Sequence, residues 1–416
     1  MNYSDSERIA GLLEKYGLKK ALNVKEADLA VFNTCGVRQM AEDRVYGQIH
    51  NLRVRSQNPK VKIVLTGCLA HRKDVYRRLK NKVDLFTDIK DFHKEIKKIL
   101  DTKNPTLNAK ADYFSIKPSY NSKHTALVPI MTGCNNFCSY CVVPYARGRE
   151  ISRPASEILK EIHNLIKSGY REIILLGQNV NSYKDKKINF SKLLEKVDAI
   201  PGNFWISFIS NHPKDFSNEL VKTATKLKKV CEYIHLPIQA GDDKILEKMN
   251  RKYTQKQYLE LVEKTRKSFR KNKPGRLHSL TSDIIVGFPG ETKKQFEKSA
   301  EIMRKVRYDM VYFGQFSPRP ETAAWKMKDN ISKEEKSRRE QFLNEILKIT
   351  SFENNKKYLN KTLEIIVDKE KKGYYFGRTR TMKNVKIISN KKNLIGKIVK
   401  ANIIKANIWN LEAKIK

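Results

Sequence analysis

Three cysteines, Cys134, Cys138 and Cys141, stand in a CxxxCxxC pattern directly after a strand-like apolar run, Leu127 to Met131. Thiolates are soft ligands, and three so close together can converge on zinc or on an iron-sulfur cluster, whereas a hard cation would demand oxygen. Their number matters as much as their kind. A structural zinc site is closed by four protein ligands, but three leave one corner of the centre open to a substrate or cofactor. No fourth cysteine lies near, and the nearest histidine, His124, precedes the strand. The spacing therefore points to an open, sulfur-ligated metal centre. A zinc site completed by a distant ligand, or three buried thiols, are the alternatives.

The stretch from Gly133 to Glu150 resembles the cluster loop of radical S-adenosylmethionine (SAM) enzymes. That resemblance implies that Cys134, Cys138 and Cys141 hold a [4Fe-4S] cluster by three irons. SAM would take the fourth iron and be cleaved by one electron to methionine and a 5'-deoxyadenosyl radical. It also implies that Tyr140, the aromatic before the last cysteine, lies beside the SAM adenine. Packing alone would equally ask for an aromatic there.

The elements that must position this loop are legible as an alternation. Between about 125 and 330, strand-like runs at 126–131, 172–176, 204–209, 232–237, 280–286 and 310–316 alternate with helical segments. Six such units predict an incomplete (β/α)6 barrel, whose chemistry sits on the loops after the strands. Other strand ends are polar or glycine-rich, and Gln178, Asn179, Gln239 and Gly287 are the expected SAM contacts, since amides bond polar groups and glycine permits close approach. Each alone is an ordinary βα turn. Cys231 opens a strand and reads as structural.

Residues 1–105 read as an open α/β domain, beginning with a Ser4–Glu7 capping box and an amphipathic helix to Gly17. Strands at 27–33 and 61–66 lead into Thr34-Cys35-Gly36-Val37-Arg38 and Gly67-Cys68-Leu69-Ala70-His71. Both cysteines thus fall at the carboxyl ends of strands, where open α/β sheets place ligands. Buried small hydrophobes are the plain alternative. Residues 106–124 read as a linker, 125–350 as the barrel with its trailing helix, and 355–416 as a small β-barrel.

The 416 residues carry 84 basic and 45 acidic side chains, a net charge of +39. Biased composition explains part of this excess, yet such a field attracts polyanions, and nucleic acid is the natural partner. Residues 362–416 alone hold 14 basic and 4 acidic residues, with Tyr374, Tyr375, Phe376, Arg378 and Arg380 interleaved, a pattern suited to RNA. With no apolar run of about 18 residues and no leader pattern, a soluble cytoplasmic protein is expected. The six cysteines do not form a secreted disulfide framework.

Along its whole length the chain resembles the radical SAM methylthiotransferases: an amino-terminal domain, a barrel and an RNA-binding TRAM domain. The matching segments are Asp5 to Ile9, Asn33 to Arg38, Val142 to Glu150, Leu176 to Tyr183, Ser282 to Glu291 and Gly377 to Thr381. The resemblance implies sulfur insertion and methyl transfer at C2 of N6-isopentenyladenosine beside the anticodon of tRNA. Threonylcarbamoyl-adenosine as target, or an RNA-binding iron-sulfur protein unable to insert sulfur, are the alternatives. It further implies an auxiliary [4Fe-4S] cluster on Cys35 and Cys68, with RNA contacts from Arg147, Arg149, Arg378 and Arg380. An external electron donor, a sulfur source and a monomeric state are expected. The family's first auxiliary cysteine lies upstream of the match to Met1-Asn2, so two of three ligands are present. A misassigned start codon is the expected reason, with His71 as a substitute ligand otherwise.

Overall fold

The computed structural model describes residues 1–36, 39–55, 58, 60–100 and 113–415. Val37 and Arg38 of the Cys35 segment, and residues 106–112 of the expected linker, lie outside them. The chain divides into two compact units. One joins Met1–Asn121 to Thr132–Ile151 and Ser317–Lys326; the other comprises Ser122–Met131, Ser152–Phe316 and Met327–Lys416.

In the first unit, Ile9, Leu12 and Tyr16 recur at helical spacing and bury one face of α1 (Asn2–Lys15) and its cap. The expected capping box does not form. The helix begins before it, Ser4 is buried, and the Glu7 carboxylate accepts from the Asn121 amide at 3.0 Å. Three parallel strands, β1 (Leu29–Thr34), β2 (Lys62–Gly67) and β3 (Leu85–Thr87), form a sheet in that order. The third is too short to show a period in the sequence. Helix α2 (Gln39–Arg55) lies where the pattern puts it.

Residues 113–121 correct the linker expectation. Tyr113, Phe114 and Ile116 are buried in the same apolar cluster as the α1 face. Arg8 donates to the carbonyls of Phe114 (3.2 Å) and Ile116 (2.5 Å). Gly11 permits this approach, since a Cβ there would meet the Lys117 carbonyl oxygen at 2.1 Å.

In the second unit, β4 (Thr125–Pro129), β5 (Glu172–Leu176) and β6 (Trp205–Phe208) pair in parallel with β5 central. Likewise β7 (Tyr233–His235), β8 (Ser279–Val286) and β9 (Met310–Gln315) pair in parallel around β8. A parallel bridge between Ile206 and Val230 joins the two sheets. The six strands therefore follow one another in sequence order, as the incomplete (β/α)6 barrel requires. Helices Phe190–Asp198 and Asp243–Lys248 add to those expected. The long helix Lys333–Lys356 lies along β9, where Ser351 donates to the Asp309 carbonyl at 3.1 Å.

The tail strands β10 (Thr362–Lys371), β11 (Tyr374–Thr379), β12 (Asn384–Ile388), β13 (Ile398–Ala406) and β14 (Leu411–Lys414) close into a barrel in the order 10-11-12-14-13. Ile365, Val367, Val385, Ile387 and Ile403 fill it. It is seated on the amino-terminal ends of the parallel strands. Arg378 pairs with Glu172 at the start of β5, Arg380 with Glu232 before β7, and Lys383 with Asp309 before β9. The Ser279 hydroxyl, at the start of β8, donates to the Thr381 carbonyl. Cys231, fully buried with Trp205 and Ile366, completes this junction. Among the described residues, no helix is long and apolar enough to cross a membrane.

Candidate iron-sulfur centre

Parallel register sets Thr34 opposite Gly67, so Cys35 and Cys68 are the next residues on two adjacent strands. The turn is held by the Cys68 amide on the Thr34 carbonyl (3.1 Å) and by the Thr34 hydroxyl on the Thr66 carbonyl (2.6 Å). Gly67 takes a positive φ of 84°, and a Cβ there would stand 2.4 Å from the Thr34 oxygen. Only glycine fits that turn. Cys35 is half-buried and Cys68 buried.

The cluster loop belongs to the same unit. Its helix Val143–Arg147 lays Val142 and Ala146 on Cys68. The Cys134 amide donates to the Gly148 carbonyl (3.2 Å) and the Cys141 amide to the Cys138 carbonyl (2.9 Å), closing the loop on itself. Phe137 adopts a positive φ of 46° between the first two cysteines, its ring edge-on to Tyr145 and beneath the Arg149 guanidinium. The Ala324 amide donates to the Ser139 carbonyl at 2.7 Å, tying segment 317–326 to the loop. Tyr140 is half-buried in the same turn.

Burial pushes the Cys141 thiol up to about 12 and raises those of Cys134 and Cys68, with neighbouring cysteines adding to the effect. As thiolates these groups need a nearby cation, a role that a bound metal centre would fill. Among the described residues, no three side chains of His, Cys, Asp or Glu are gathered as ligands of a single ion. Three thiols from one loop suit a cluster in which each thiolate goes to a different iron.

Two buried ion pairs frame these cysteines. Arg147 bonds Asp5 at 2.5 Å, and Asp5 also accepts from the Tyr113 hydroxyl. Burial opposes the charge on Arg147, but Asp5 outweighs it and raises the guanidinium pKa. The Arg147 charge in turn favours the Cys68 thiolate. Glu42 accepts from Arg72 (2.7 and 3.0 Å), Arg319 (3.2 Å) and the Tyr46 hydroxyl (2.7 Å). Glu42 and Arg72 were not singled out from sequence, because a lone charged residue on a helix or beside one reads as solvated surface.

The second unit carries the barrel strand ends. There Gln178 Oε1, Asn179 Oδ1, Asn181 Nδ2 and Asn211 Oδ1 are buried without a hydrogen-bond partner. Native interiors rarely leave such atoms unmet, so the amides of Gln178, Asn179 and Asn181 fit a polar cofactor such as SAM. Asn181 and Asn211 were not singled out from sequence, although both lie in the polar turns that were. Gln239, at a positive φ of 73°, bonds both ways with β8 through Asp283 and Ile285 (2.9 Å each). Gly287, at a positive φ of 69°, is closely surrounded. A Cβ there would meet the Lys336 chain at 2.4 Å, and its amide donates to Glu291, so backbone conformation and packing both favour glycine.

The arginines expected to grip RNA are mostly engaged internally. Arg147 answers Asp5, Arg378 bridges Glu172 and Asp368, and Arg380 bonds Glu232 and the carbonyls of Lys228 and Val230. For Arg378 and Arg380 the partners Glu172 and Glu232 are buried carboxylates at the starts of barrel strands. Arg149 alone of the four is exposed. Lys386 over the exposed Tyr374 ring (3.7 Å) and the exposed lysines 371, 372, 391 and 392 form the accessible basic surface of the tail.

Residues 1–88 match Uncharacterized protein family UPF0004, 128–303 the Radical SAM superfamily and 356–416 the TRAM domain. The chain is 41% identical to the tRNA-2-methylthio-N(6)-dimethylallyladenosine synthase of Clostridium botulinum (strain Okra / Type B1), covering 99% of this chain and 94% of that one. It is 39% identical to the protein of the same name from Thermoanaerobacter sp. (strain X514), over 100% and 90%. Among solved structures, the radical S-adenosylmethionine methyltransferase TsrM of Kitasatospora setae, with cobalamin and a [4Fe-4S] cluster bound, aligns with a TM-score of 0.51 at 14% identity over 75% of this chain and 67% of that one, a likeness of fold. The cysteine loop, the strand order and the tail barrel agree with these matches, and the chain belongs to the tRNA-2-methylthio-N(6)-dimethylallyladenosine synthase family of radical SAM enzymes.

Proposed function

We propose that this protein converts N6-isopentenyladenosine beside the anticodon of tRNA to its 2-methylthio derivative. The observation that carries this reading is the shared unit of Cys35 and Cys68 with the Cys134, Cys138 and Cys141 loop, in which Cys68 packs on Val142 and Ala146. Cys134, Cys138 and Cys141 hold the SAM-binding [4Fe-4S] cluster, and Cys35 and Cys68 contribute to an auxiliary one. When bound, these groups supply one-electron chemistry that breaks an aryl C–H bond, a task beyond acid/base side chains.

The chain's own residues bind and orient. Arg147 on Asp5 locks the cluster loop to α1, while the amides of Gln178 and Asn179 offer buried acceptors to SAM. Residues 1–105 serve sulfur delivery, 125–350 SAM chemistry and 355–416 tRNA capture through exposed lysines and Tyr374. Arg149 adds a contact near the loop. An external electron donor and a sulfur source complete the reaction, with the protein acting as a cytoplasmic monomer.

The test is mass spectrometry of tRNA nucleosides from a strain lacking its own methylthiotransferase and expressing this chain. The methylthio-isopentenyl nucleoside is expected. Isopentenyl nucleoside alone, from cells whose purified protein carries iron and cleaves SAM, would overturn the sulfur-insertion reading.

A further inference from the structure

Three barrel strands place an unassigned cluster of side chains on one face. Register sets His235 beside Thr281 and Asp283 beside Tyr312 on β7, β8 and β9. His235 Nε2 lies 3.3 Å from Asp283 and Nδ1 2.9 Å from the Thr281 hydroxyl, which also meets the Tyr233 hydroxyl at 3.1 Å. The Thr281 hydroxyl donates to Tyr233, and His235 Nε2 faces the Asp283 carboxylate. The alternate residues of β8, Leu280, Ser282 and Ile284, are buried on the helix side, where the Ser282 and Tyr258 hydroxyls both donate to the Leu236 carbonyl. The cluster therefore faces the barrel interior.

Its layer is open. One step toward the strand starts, the same face is closed by Ser279 on the Thr381 carbonyl. One step toward the strand ends, Tyr312 keeps 50% of its surface exposed and the Asp283 side chain 37%. Nearby, Asn211 anchors its Nδ2 on the His235 carbonyl at 2.6 Å and leaves Oδ1 buried and unpaired. A half-exposed phenol ring, a carboxylate braced by histidine and an unmet amide oxygen suit a flat ligand that carries an N–H donor. A base drawn out of an RNA loop is such a ligand, and it stacks on aromatic side chains.

We propose that Tyr312 stacks on the target purine and that Asp283, positioned by His235, accepts a hydrogen bond from its edge. This inference rests on the function proposed above and names where the substrate base sits.

The test uses the holoenzyme with SAM, an anticodon stem-loop RNA carrying isopentenyladenosine, and the variants Tyr312→Ala, Tyr312→Phe and Asp283→Asn. Fluorescence anisotropy should show Tyr312→Ala binding the stem-loop about 5- to 100-fold more weakly, with Tyr312→Phe restored to about wild-type affinity. Asp283→Asn should form less methylthio product per SAM cleaved, at unchanged SAM affinity. Equal stem-loop affinity in wild type and Tyr312→Ala, or a matching loss of SAM affinity, overturns the proposal. Wild-type protein that yields no methylthio product overturns the functional reading itself, whereas wild-type product with unaltered variants overturns this inference alone.

Discussion

Replacing Arg378 with alanine asks whether the arginines of the tail barrel hold the fold or the RNA. Glu172 is fully buried, and its carboxylate accepts from Arg378 at 2.9 and 3.4 Å and from the Thr125 hydroxyl at 3.0 Å. Removing Arg378 takes away this guanidinium while the carboxylate stays buried. Deleting one partner of a buried pair costs about 3–5 kcal/mol, and the lower end applies here because water can reach the vacated space. Arg378 is itself 23% exposed. A loss of about 3 kcal/mol lowers the Tm by roughly 6 °C in a unit of this size. Trp205, buried with Cys231 and Ile366 at the junction, gives a fluorescence signal for that transition. The double variant Arg378→Met, Glu172→Leu should recover most of the loss, since neither charge is then stranded. Affinity for tRNA and its salt dependence should stay at wild-type values for the folded single variant. A variant that melts like wild type, but whose log affinity against log salt is shallower by about 0.7–0.9, would place Arg378 on a phosphate and refute the reasoning.

Cys138→Ala should abolish SAM cleavage while leaving tRNA affinity within about twofold, measured by product analysis and filter binding, because the basic surface lies elsewhere. Cys35→Ala should separate the two halves of the reaction, with 5'-deoxyadenosine still formed, no methylthio nucleoside made and less iron bound per chain. Acid should loosen the tail barrel. Burial opposes the charge on Asp368, but hydrogen bonds from Arg378 and His124 prevail and hold its carboxyl down at about 2. Glu232 is likewise held at about 2 by Arg380 and Lys273 against its burial. Both folded pKa values are depressed, so their stabilisation is complete above the unfolded carboxylate range, near pH 4–5, and is lost as pH falls toward about 2. Tm measured across that window should drop steeply in wild type and less in Arg378→Ala; equal slopes would contradict the assignment.

Much of the architecture was legible because its signals are local. The apolar run before Cys134, the strands at 172–176 and 280–286, and the helix from Gln255 each announce themselves by period and flanking residues. Short elements did not. Leu85–Thr87 is three residues long, and no alternation survives at that length. The stretch after 112 looked like linker because its polar residues mask Tyr113, Phe114 and Ile116, which are buried with Ile9 and Leu12 of a helix about 100 residues earlier.

The site divides in the same way. The cysteine spacing by itself pointed to soft-metal chemistry, since ligand type and chain geometry lie within a few residues. The arginines' internal partners were hidden from sequence for a physical reason: a guanidinium near aromatics looks ready for phosphate, and nothing local reveals that Glu172, 206 residues earlier, bonds Arg378. Tertiary structure alone decided that Cys68 meets the helix of the cluster loop, that Lys336 lies against Gly287, and that His235, Asp283 and Tyr312 share an open face. Such pairings join residues far apart in the chain, and only the parallel register of the strands and the closure of the tail barrel bring them together.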